Sequence, residues 1–367
     1  MKIALTGGHL SPALSIIEEI PKEWKVIFIG RKYNFEGDKS ISLEYNIIKE
    51  LGIEFENLTT GRFQRKLTRN TIPSLFKLPT GFFTALKILH KHQPDIILGF
   101  GGYIQLPVIF AAFFMRIPVV IHEQTLEAGA ANQISARFAK KICISWESSR
   151  KFFPKDKTVF TGIPLRRETI EINKEKISTK NDIPQIFITG GSSGAHFINN
   201  LVENSLKKVL VKYKVVHQTG DSKKFNDFDK LENIKKTLPD NLNKNYILTK
   251  FINPTEFPKV MKESDLVISR AGINTVSEIL FFNKPCILIP IPFAQKNEQF
   301  KNSLFLKNLG LAEIIEQKNA TSNLLTQKIE MMLNNQGNYK TKKIDNLSFE
   351  KATGTIIEIL KKCAEKN

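Results

Sequence analysis

The chain of 367 residues carries only three cysteines, Cys143, Cys286 and Cys363. They are far apart, odd in number and set among apolar residues, which excludes a disulfide framework or a zinc ribbon and points to a reducing compartment. Long hydrophobic runs are missing too. The longest, Ile104 to Met115, is interrupted by Gln105 and Pro107 and closed by Arg116, short of the roughly 20 residues that span a bilayer. Met1-Lys2-Ile3-Ala4-Leu5 reaches Thr6-Gly7-Gly8-His9 before the apolar region of a secretory signal can form, so the N-terminus reads as a first strand. Acidic residues are scarce as well, 36 against 54 lysines and arginines, for a net charge of +18. Such a balance favours an anionic partner: nucleic acid, an acidic membrane leaflet or a phosphorylated substrate.

What is present suits a globular protein of two domains, since the residues are 41% apolar and the length exceeds what one core usually organises. Short aliphatic runs alternate with helical patterns: Ile3–Leu5, Val26–Ile29, Asp95–Leu98, Val119–His122 and Lys141–Ser145. The series restarts after a polar stretch, 166–182, with Ile186–Thr189, Val215–Gln218, Tyr246–Lys250, Leu266–Ser269 and Cys286–Pro290. Repeated βαβ units of this kind predict an α/β fold of two Rossmann-like halves with parallel sheets. A last helical pattern, Ala352 to Lys362, could pack on either half.

Each half opens with a strand that runs into glycines and then a helix: Thr6-Gly7-Gly8-His9, and Thr189-Gly190-Gly191-Ser192-Ser193-Gly194. The second has neither the Lys-Ser/Thr ending of a P-loop nor the G-x-G-x-x-G spacing of a dinucleotide fold. It therefore reads as a diphosphate cradle for a sugar nucleotide, or else as a plain tight turn. Gly99-Phe100-Gly101-Gly102-Tyr103 repeats the device in the first half. The most informative stretch is Ser269-Arg270-Ala271-Gly272-Ile273-Asn274-Thr275-Val276-Ser277-Glu278: a strand, a glycine turn and a helix N-terminus, with a carboxylate one turn in that could take a ribose diol. His9, at a positive helix end, could be a neutral base, or could only cap the helix or bind an anion.

Metal ligation is weakly supported. Asp227-Phe228-Asp229 has the D-x-D spelling but lies in a polar segment with no strand before it, and His90 and His92 face different ways on a helix end, where a solvated role is expected. Between Glu56 and Asp95 no acidic residue occurs, while Arg62, Arg65, Lys66, Arg69, Lys77, Lys87 and Lys91 interleave with Phe63, Leu75, Phe76, Leu78, Phe82 and Phe83. This suits an anionic bilayer surface, against the alternative of a helix with core aromatics and solvated lysines. No recognisable RNA module motif accompanies it.

Together these motifs resemble the MurG family of peripheral membrane glycosyltransferases, which move N-acetylglucosamine from UDP-N-acetylglucosamine to lipid I to make lipid II. The resemblance runs through Thr6–His9 with Pro12; Gly99–Tyr103 with Pro107; His122-Glu123-Gln124 with Gly129 and Asn132; Gly162, Pro164 and Arg166; Gly190–Ala195; His217-Gln218-Thr219-Gly220; and Ser269–Glu278, then Gln299 and Asn302. The chain departs from the family pattern at Ala4-Leu5, Thr125, Ile163 and Glu298, so its donor half is matched more fully than its acceptor half.

The resemblance implies a GT-B fold with the reaction in the cleft. It implies an N-terminal acceptor and membrane domain, 1–161, to which a C-terminal helix, 345–367, returns, and a UDP-sugar domain, 162–344. It implies that Arg166, Ser192, Ile273, Asn274, Thr275, Glu278 and Gln299 bind the donor, and that Thr6, Gly7, Gly8, Gly101, Gly102, Tyr103 and Asn132 serve the undecaprenyl-diphosphate acceptor. The implied chemistry is an inverting displacement in which His9, or alternatively Glu123, takes a proton from the acceptor's 4-hydroxyl. Helix N-termini and Arg166 would absorb the charge of the leaving diphosphate, so no metal and no cofactor is expected. The implied place is the cytoplasmic face of the cell membrane, with an anionic lipid surface and no nucleic acid as partner. A glycosyltransferase with another lipid acceptor and a UDP-N-acetylglucosamine 2-epimerase are the rival readings.

Overall fold

The computed structural model describes residues 1–33, 41–61, 71–175, 183–191, 194–222, 224–341 and 348–365. It divides into two compact units, Met1–Arg167 with Ser348–Asn367, and Glu168–Leu347. The first holds seven parallel strands: β1 (Lys2–Thr6), β2 (Lys25–Gly30), β3 (Glu54–Asn57), β4 (Ile96–Gly99), β5 (Val119–Glu123), β6 (Lys141–Ile144) and β7 (Thr158–Phe160). Their order is β3-β2-β1-β4-β5-β6-β7. The central strands are covered on both faces, which is why they read as unbroken apolar runs rather than alternating ones. The helices Thr71–His92 and Gly102–Phe114 bury Ala85, Leu89, Ile104 and Val108 against one face. The helices Leu10–Glu19 and Ala352–Ala364 bury Ala13, Ile16, Ile356 and Leu360 against the other. The C-terminal helix is thus part of the first unit.

The second unit holds β8 (Gln185–Thr189), β9 (Lys214–Gln218), β10 (Tyr246–Thr249), β11 (Leu266–Ser269), β12 (Cys286–Leu288) and β13 (Ala312–Ile314), in the order β10-β9-β8-β11-β12-β13. All of its strand pairs are parallel. In each sheet the strand order reverses once, between β1 and β4 and between β8 and β11. Open α/β sheets bind ligands outside the carboxyl ends of the strands at such a switch point. The reversal sets the Gly7–His9 turn beside the Gly99–Tyr103 turn in the first unit, and the Gly190–Gly194 loop beside Arg270–Thr275 in the second.

Three strands escape the sequence reading. The edge strand β3 is largely polar, and β7 and β13 have only three residues each. Part of the polar stretch after Arg166 is helical, over Arg167–Lys174. The first unit runs to Arg167 rather than to residue 161, and backbone contacts explain why. Ile163 N–H donates to the Ser348 carbonyl at 3.1 Å, and Gly162, at φ +85°, lies where a Cβ would come within 1.8 Å of that same oxygen. Gly162→Ala is therefore expected to destabilise the first unit by about 1–3 kcal/mol, read as a fall in Tm. An unchanged Tm would show that this crossing contributes nothing to stability. Among the described residues, no helix is long and apolar enough to cross a membrane.

Candidate active site

In the first unit the two glycine turns pack on each other. A Cβ on Gly8 would lie 2.5 Å from the Gly101 carbonyl oxygen, and one on Gly102 would lie 3.1 Å from the Gly8 Cα. Gly101 and Gly102 adopt φ +84° and +74°, the left-handed region that glycine enters without steric cost. Beneath them lies a buried amide strut. Gln105 Oε1 accepts from Gly101 N–H at 2.6 Å, while its Nε2 donates to Asn132 Oδ1 at 2.8 Å and to Ser135 Oγ at 2.9 Å. Sequence reading treats Gln105 only as a break in an apolar run. A lone amide in such a run is the signal that could have found it.

Asn132 is part of this scaffold rather than of the acceptor surface. Its Nδ2 donates to the His122 carbonyl at 3.0 Å and to Glu123 Oε2 at 3.1 Å, so both ends of the amide are held internally. Gly7 also differs from expectation. It is buried, its N–H donates to the Ile29 carbonyl at 2.8 Å, and the Glu44 carboxylate occupies the space a Cβ would take. It therefore has no N–H to offer a diphosphate, whereas Gly8 is exposed. Burial raises the Glu44 carboxyl above its usual range. Thr6 is fully buried, its hydroxyl without a hydrogen-bond partner among the described residues. Tyr103, on the helix Gly102–Phe114, faces the Arg31 guanidinium at 5.3 Å. Arg31 is a cation on this edge that sequence reading missed.

His9 precedes the helix Leu10–Glu19 in an extended conformation, and its side chain makes no capping bond, which removes the capping alternative. Burial holds its pKa below the usual histidine value of 6.5, with the nearby Glu123 charge pulling the other way. The imidazole is thus neutral and able to accept a proton at neutral pH. Glu123 itself is buried and fully engaged. Oε1 accepts from Thr125 N–H at 2.9 Å and Thr125 Oγ1 at 2.6 Å, and Oε2 accepts from Gly129 N–H at 2.8 Å and from Asn132. Four internal donors suit a group that fixes charge near His9, and they disfavour Glu123 as the base. Thr125, a departure from the family pattern, supplies two of the four. His122 is pushed to about 3 by burial and by its neighbour His9, and its Nε2 meets Ser145 Oγ at 3.0 Å.

In the second unit, Gly191 and Gly194 have φ +82° and +74°. A Cβ on Gly190 would strike Ala195 N at 2.2 Å and one on Gly194 would strike the Thr219 carbonyl at 2.0 Å, so the loop admits only glycine at these turns. Ser192 and Ser193 lie outside the described residues. Gln218 braces the loop, its Nε2 donating to the Gly191 carbonyl at 3.0 Å and its Oε1 accepting from Ile252 N–H at 3.1 Å.

The helix Ile273–Phe281 begins beside this loop. Its N-cap, Gly272, has φ −67°, an ordinary value, so glycine is not needed there for a turn. A Cβ would meet open space, and the missing side chain leaves the helix N-terminus uncovered. Ile273 is buried, so only its backbone can face a ligand; Asn274 is exposed, and Thr275 and Glu278 are half-buried. Gln299 Oε1 accepts from Ile291 N–H at 3.1 Å, and Asn302 Nδ2 donates to the Ala271 carbonyl at 3.0 Å. A cavity of about 550 Å³ adjoins, lined by Phe197, Pro290, Ile291, Phe293, Phe300 and Gln317 among others. Arg270 stands over the Phe197 ring at 5.8 Å and donates from Nη1 to the Ile289 carbonyl at 2.9 Å; burial lowers its pKa to about 10. Arg166 belongs to the first unit, with Nε 3.7 Å from Glu18 Oε1.

His92 is buried, not solvated, with Nε2 2.6 Å from Glu56 Oε1, and Glu54 completes a carboxylate-histidine trio. Lys91 Nζ already takes Glu56 at 2.7 Å, so an ammonium sits where a cation would. Asp227, the first residue of the D-x-D spelling, is buried in the opening turn of the helix Asp227–Lys236 and bonded to side chains.

Two parallel-sheet units, each with glycine turns at its switch point, and a helix N-terminus left open beside the second unit's glycine loop give the two-domain architecture of the GT-B class, to which nucleotide-sugar glycosyltransferases belong. Residues 6–144 match the glycosyltransferase family 28 N-terminal domain and residues 185–356 its C-terminal domain. A UDP-N-acetylglucosamine--N-acetylmuramyl-(pentapeptide) pyrophosphoryl-undecaprenol N-acetylglucosamine transferase of Clostridium botulinum is 32% identical, over 98% of this chain and 99% of its own. A relative of the same description from Bacillus thuringiensis is 33% identical over 93% and 94%. The crystal structure of Acinetobacter baumannii MurG superposes with a TM-score of 0.72 at 25% identity, covering 98% and 99%. The UDP-GlcNAc 2-epimerase of Neisseria meningitidis shares the fold at a TM-score of 0.62 and 16% identity. The chain belongs to the MurG family of N-acetylglucosamine transferases.

Proposed function

We propose that the protein moves N-acetylglucosamine from UDP-N-acetylglucosamine to the 4-hydroxyl of the muramyl sugar of lipid I, giving lipid II for peptidoglycan synthesis. The observation that carries this reading is correspondence over the full length with relatives of that description, joined to a neutral His9 at the switch point of the first unit. His9 accepts the proton of the attacking hydroxyl, and Glu123, held by its four donors, steadies the imidazolium that results. The N-terminal end of the helix Ile273–Phe281 and the glycines Gly190, Gly191 and Gly194 take up the charge of the departing diphosphate. Gln299, its oxygen spent on Ile291, turns its amide N–H groups to the sugar, and Glu278 accepts from the ribose hydroxyls.

Glu278→Ala is expected to raise the Kd for UDP by about 10- to 100-fold, since a hydrogen bond to a charged group contributes about 1.5–3 kcal/mol. Calorimetric titration of the folded variant is the test, and an unchanged Kd would remove Glu278 from the ribose site.

The enzyme meets its lipid-linked acceptor at a membrane surface. In the first unit Phe83, Phe113 and Phe114 are 61%, 56% and 71% exposed. Phe82 and Phe138 join them edge to face, with ring centroids 5.7 Å apart for Phe82–Phe114 and 5.1 Å for Phe113–Phe138. Lys87 is exposed on the helix Thr71–His92, Arg116 just beyond the end of Gly102–Phe114, and Arg137 beside Phe138. Aromatics edged by cations suit anionic headgroups. Phe82 itself is half-buried against the core, so the surface is carried by Phe83, Phe113 and Phe114. Arg69 lies outside the described residues.

A further inference from the structure

Behind the Gly190–Gly194 loop two runs of side-chain hydrogen bonds converge on the Asp227 carboxylate. Tyr246 O–H donates to His217 Nδ1 at 3.0 Å, and His217 Nε2–H donates to Asn199 Oδ1 at 3.1 Å. Asn199 Nδ2 then donates to the Thr219 carbonyl at 3.0 Å and to Asp227 Oδ2 at 2.8 Å. Asp227 Oδ1 accepts from His196 Nδ1–H at 2.7 Å, and His196 Nε2 accepts from Asn200 Nδ2 at 3.0 Å. The His196 ring is stacked on Phe225 with centroids 3.9 Å apart. The Thr219 carbonyl gripped by Asn199 is the atom against which Gly194 packs. A displacement of Asn199 is therefore passed to the loop through backbone, not through a flexible side chain.

We propose that Asp227 and His196 are positioning residues for the donor diphosphate, acting through Asn199 and Thr219 on Gly194, where the glycine loop meets its helix; this rests on the reading of that loop as the diphosphate cradle. The D-x-D spelling thus serves as an anchor at a helix start rather than as a metal ligand. The Asp227 carboxylate is the one group in the run that accepts from both sides. Its removal leaves one of the two Asn199 Nδ2 hydrogens and the His196 Nδ1–H without an acceptor, and a buried polar network is costly when half satisfied. Fully connected, it fixes the Thr219 carbonyl against which Gly194 packs, and with it the backbone at that end of the loop.

The test is calorimetric titration of the full chain with UDP and with uridine, beside donor kinetics. Asp227→Ala is expected to raise the Kd for UDP and the KM for UDP-N-acetylglucosamine by about tenfold, the size of a coupling within one hydrogen-bond network. Affinity for uridine and kcat at saturating donor should stay within about twofold. Asp227→Asn should restore UDP binding to within about threefold, because its Oδ1 still accepts from Asn199 while His196 takes its other tautomer and Asn200 turns its amide. Should Asp227→Ala fail to fold, His196→Ala is the substitute, with about a threefold rise for UDP alone. Equal losses for UDP and uridine, or no loss for either, would overturn the proposal. Glu278→Ala run in parallel separates the two readings. If it weakens UDP and Asp227→Ala does not, only the positioning role fails; if neither does, the donor site itself is misplaced.

Discussion

His9→Ala should lower kcat by about 10²- to 10⁴-fold, the usual cost of losing a general base, while the Kd for UDP stays unchanged because the residue belongs to the other unit. The pH profile sharpens this expectation. The active form is the neutral imidazole, present above its pKa, and burial holds that pKa below 6.5. The acid limb of the wild-type kcat/KM should therefore be centred below the usual histidine value of 6.5. The Glu123 charge pulls the His9 pKa upward, so Glu123→Gln should push the acid limb lower still, together with a loss of rate as imidazolium support disappears. A His9→Ala variant that transfers sugar at the parental rate, or an acid limb centred above 6.5, would remove His9 from the base role.

Replacing Phe83 and Phe114 together by Ser should abolish binding to vesicles containing anionic lipid. Burying each ring in the interface contributes about 1.5–3 kcal/mol, so the pair accounts for a partition coefficient about 100-fold or more higher. The parent should bind anionic vesicles, be released by salt and bind neutral vesicles weakly, each cation near the surface adding about 1 kcal/mol. Both rings are exposed, so Tm should hold, and the variant should react normally with a water-soluble acceptor analogue while failing with the full-length lipid. Equal loss on both acceptors with a lowered Tm would assign these rings to the core.

The fold was legible in the sequence where strands are buried on both faces, because burial forces apolar, β-branched composition. It was not legible at β3, which lies at a sheet edge with polar residues, nor at the three-residue β7 and β13. Glycine turns marked both switch points correctly, but sequence could not say which glycines face a ligand. Gly7 is covered by a glutamate 37 positions further along the chain, and Gly272 is permissive rather than strained. The acceptor-side scaffold was legible only as its parts. Gln105, Asn132 and Glu123 are far apart in the chain, and their roles as struts follow from tertiary contacts that no spacing encodes. Likewise sequence could discount Asp227 as a metal ligand but not assign it a role, which follows from its bonds to Asn199 and His196.

The central claim is transfer to a lipid-linked muramyl acceptor, and one product analysis addresses it directly. The protein is incubated with UDP-N-acetylglucosamine in three parallel reactions, containing a short-chain lipid I analogue, diacylglycerol, or no acceptor. The account predicts a disaccharide-bearing product with the lipid I analogue alone, and intact donor in the other two. A glycosylated diacylglycerol, or conversion of the donor to its 2-epimer without any acceptor, would contradict it.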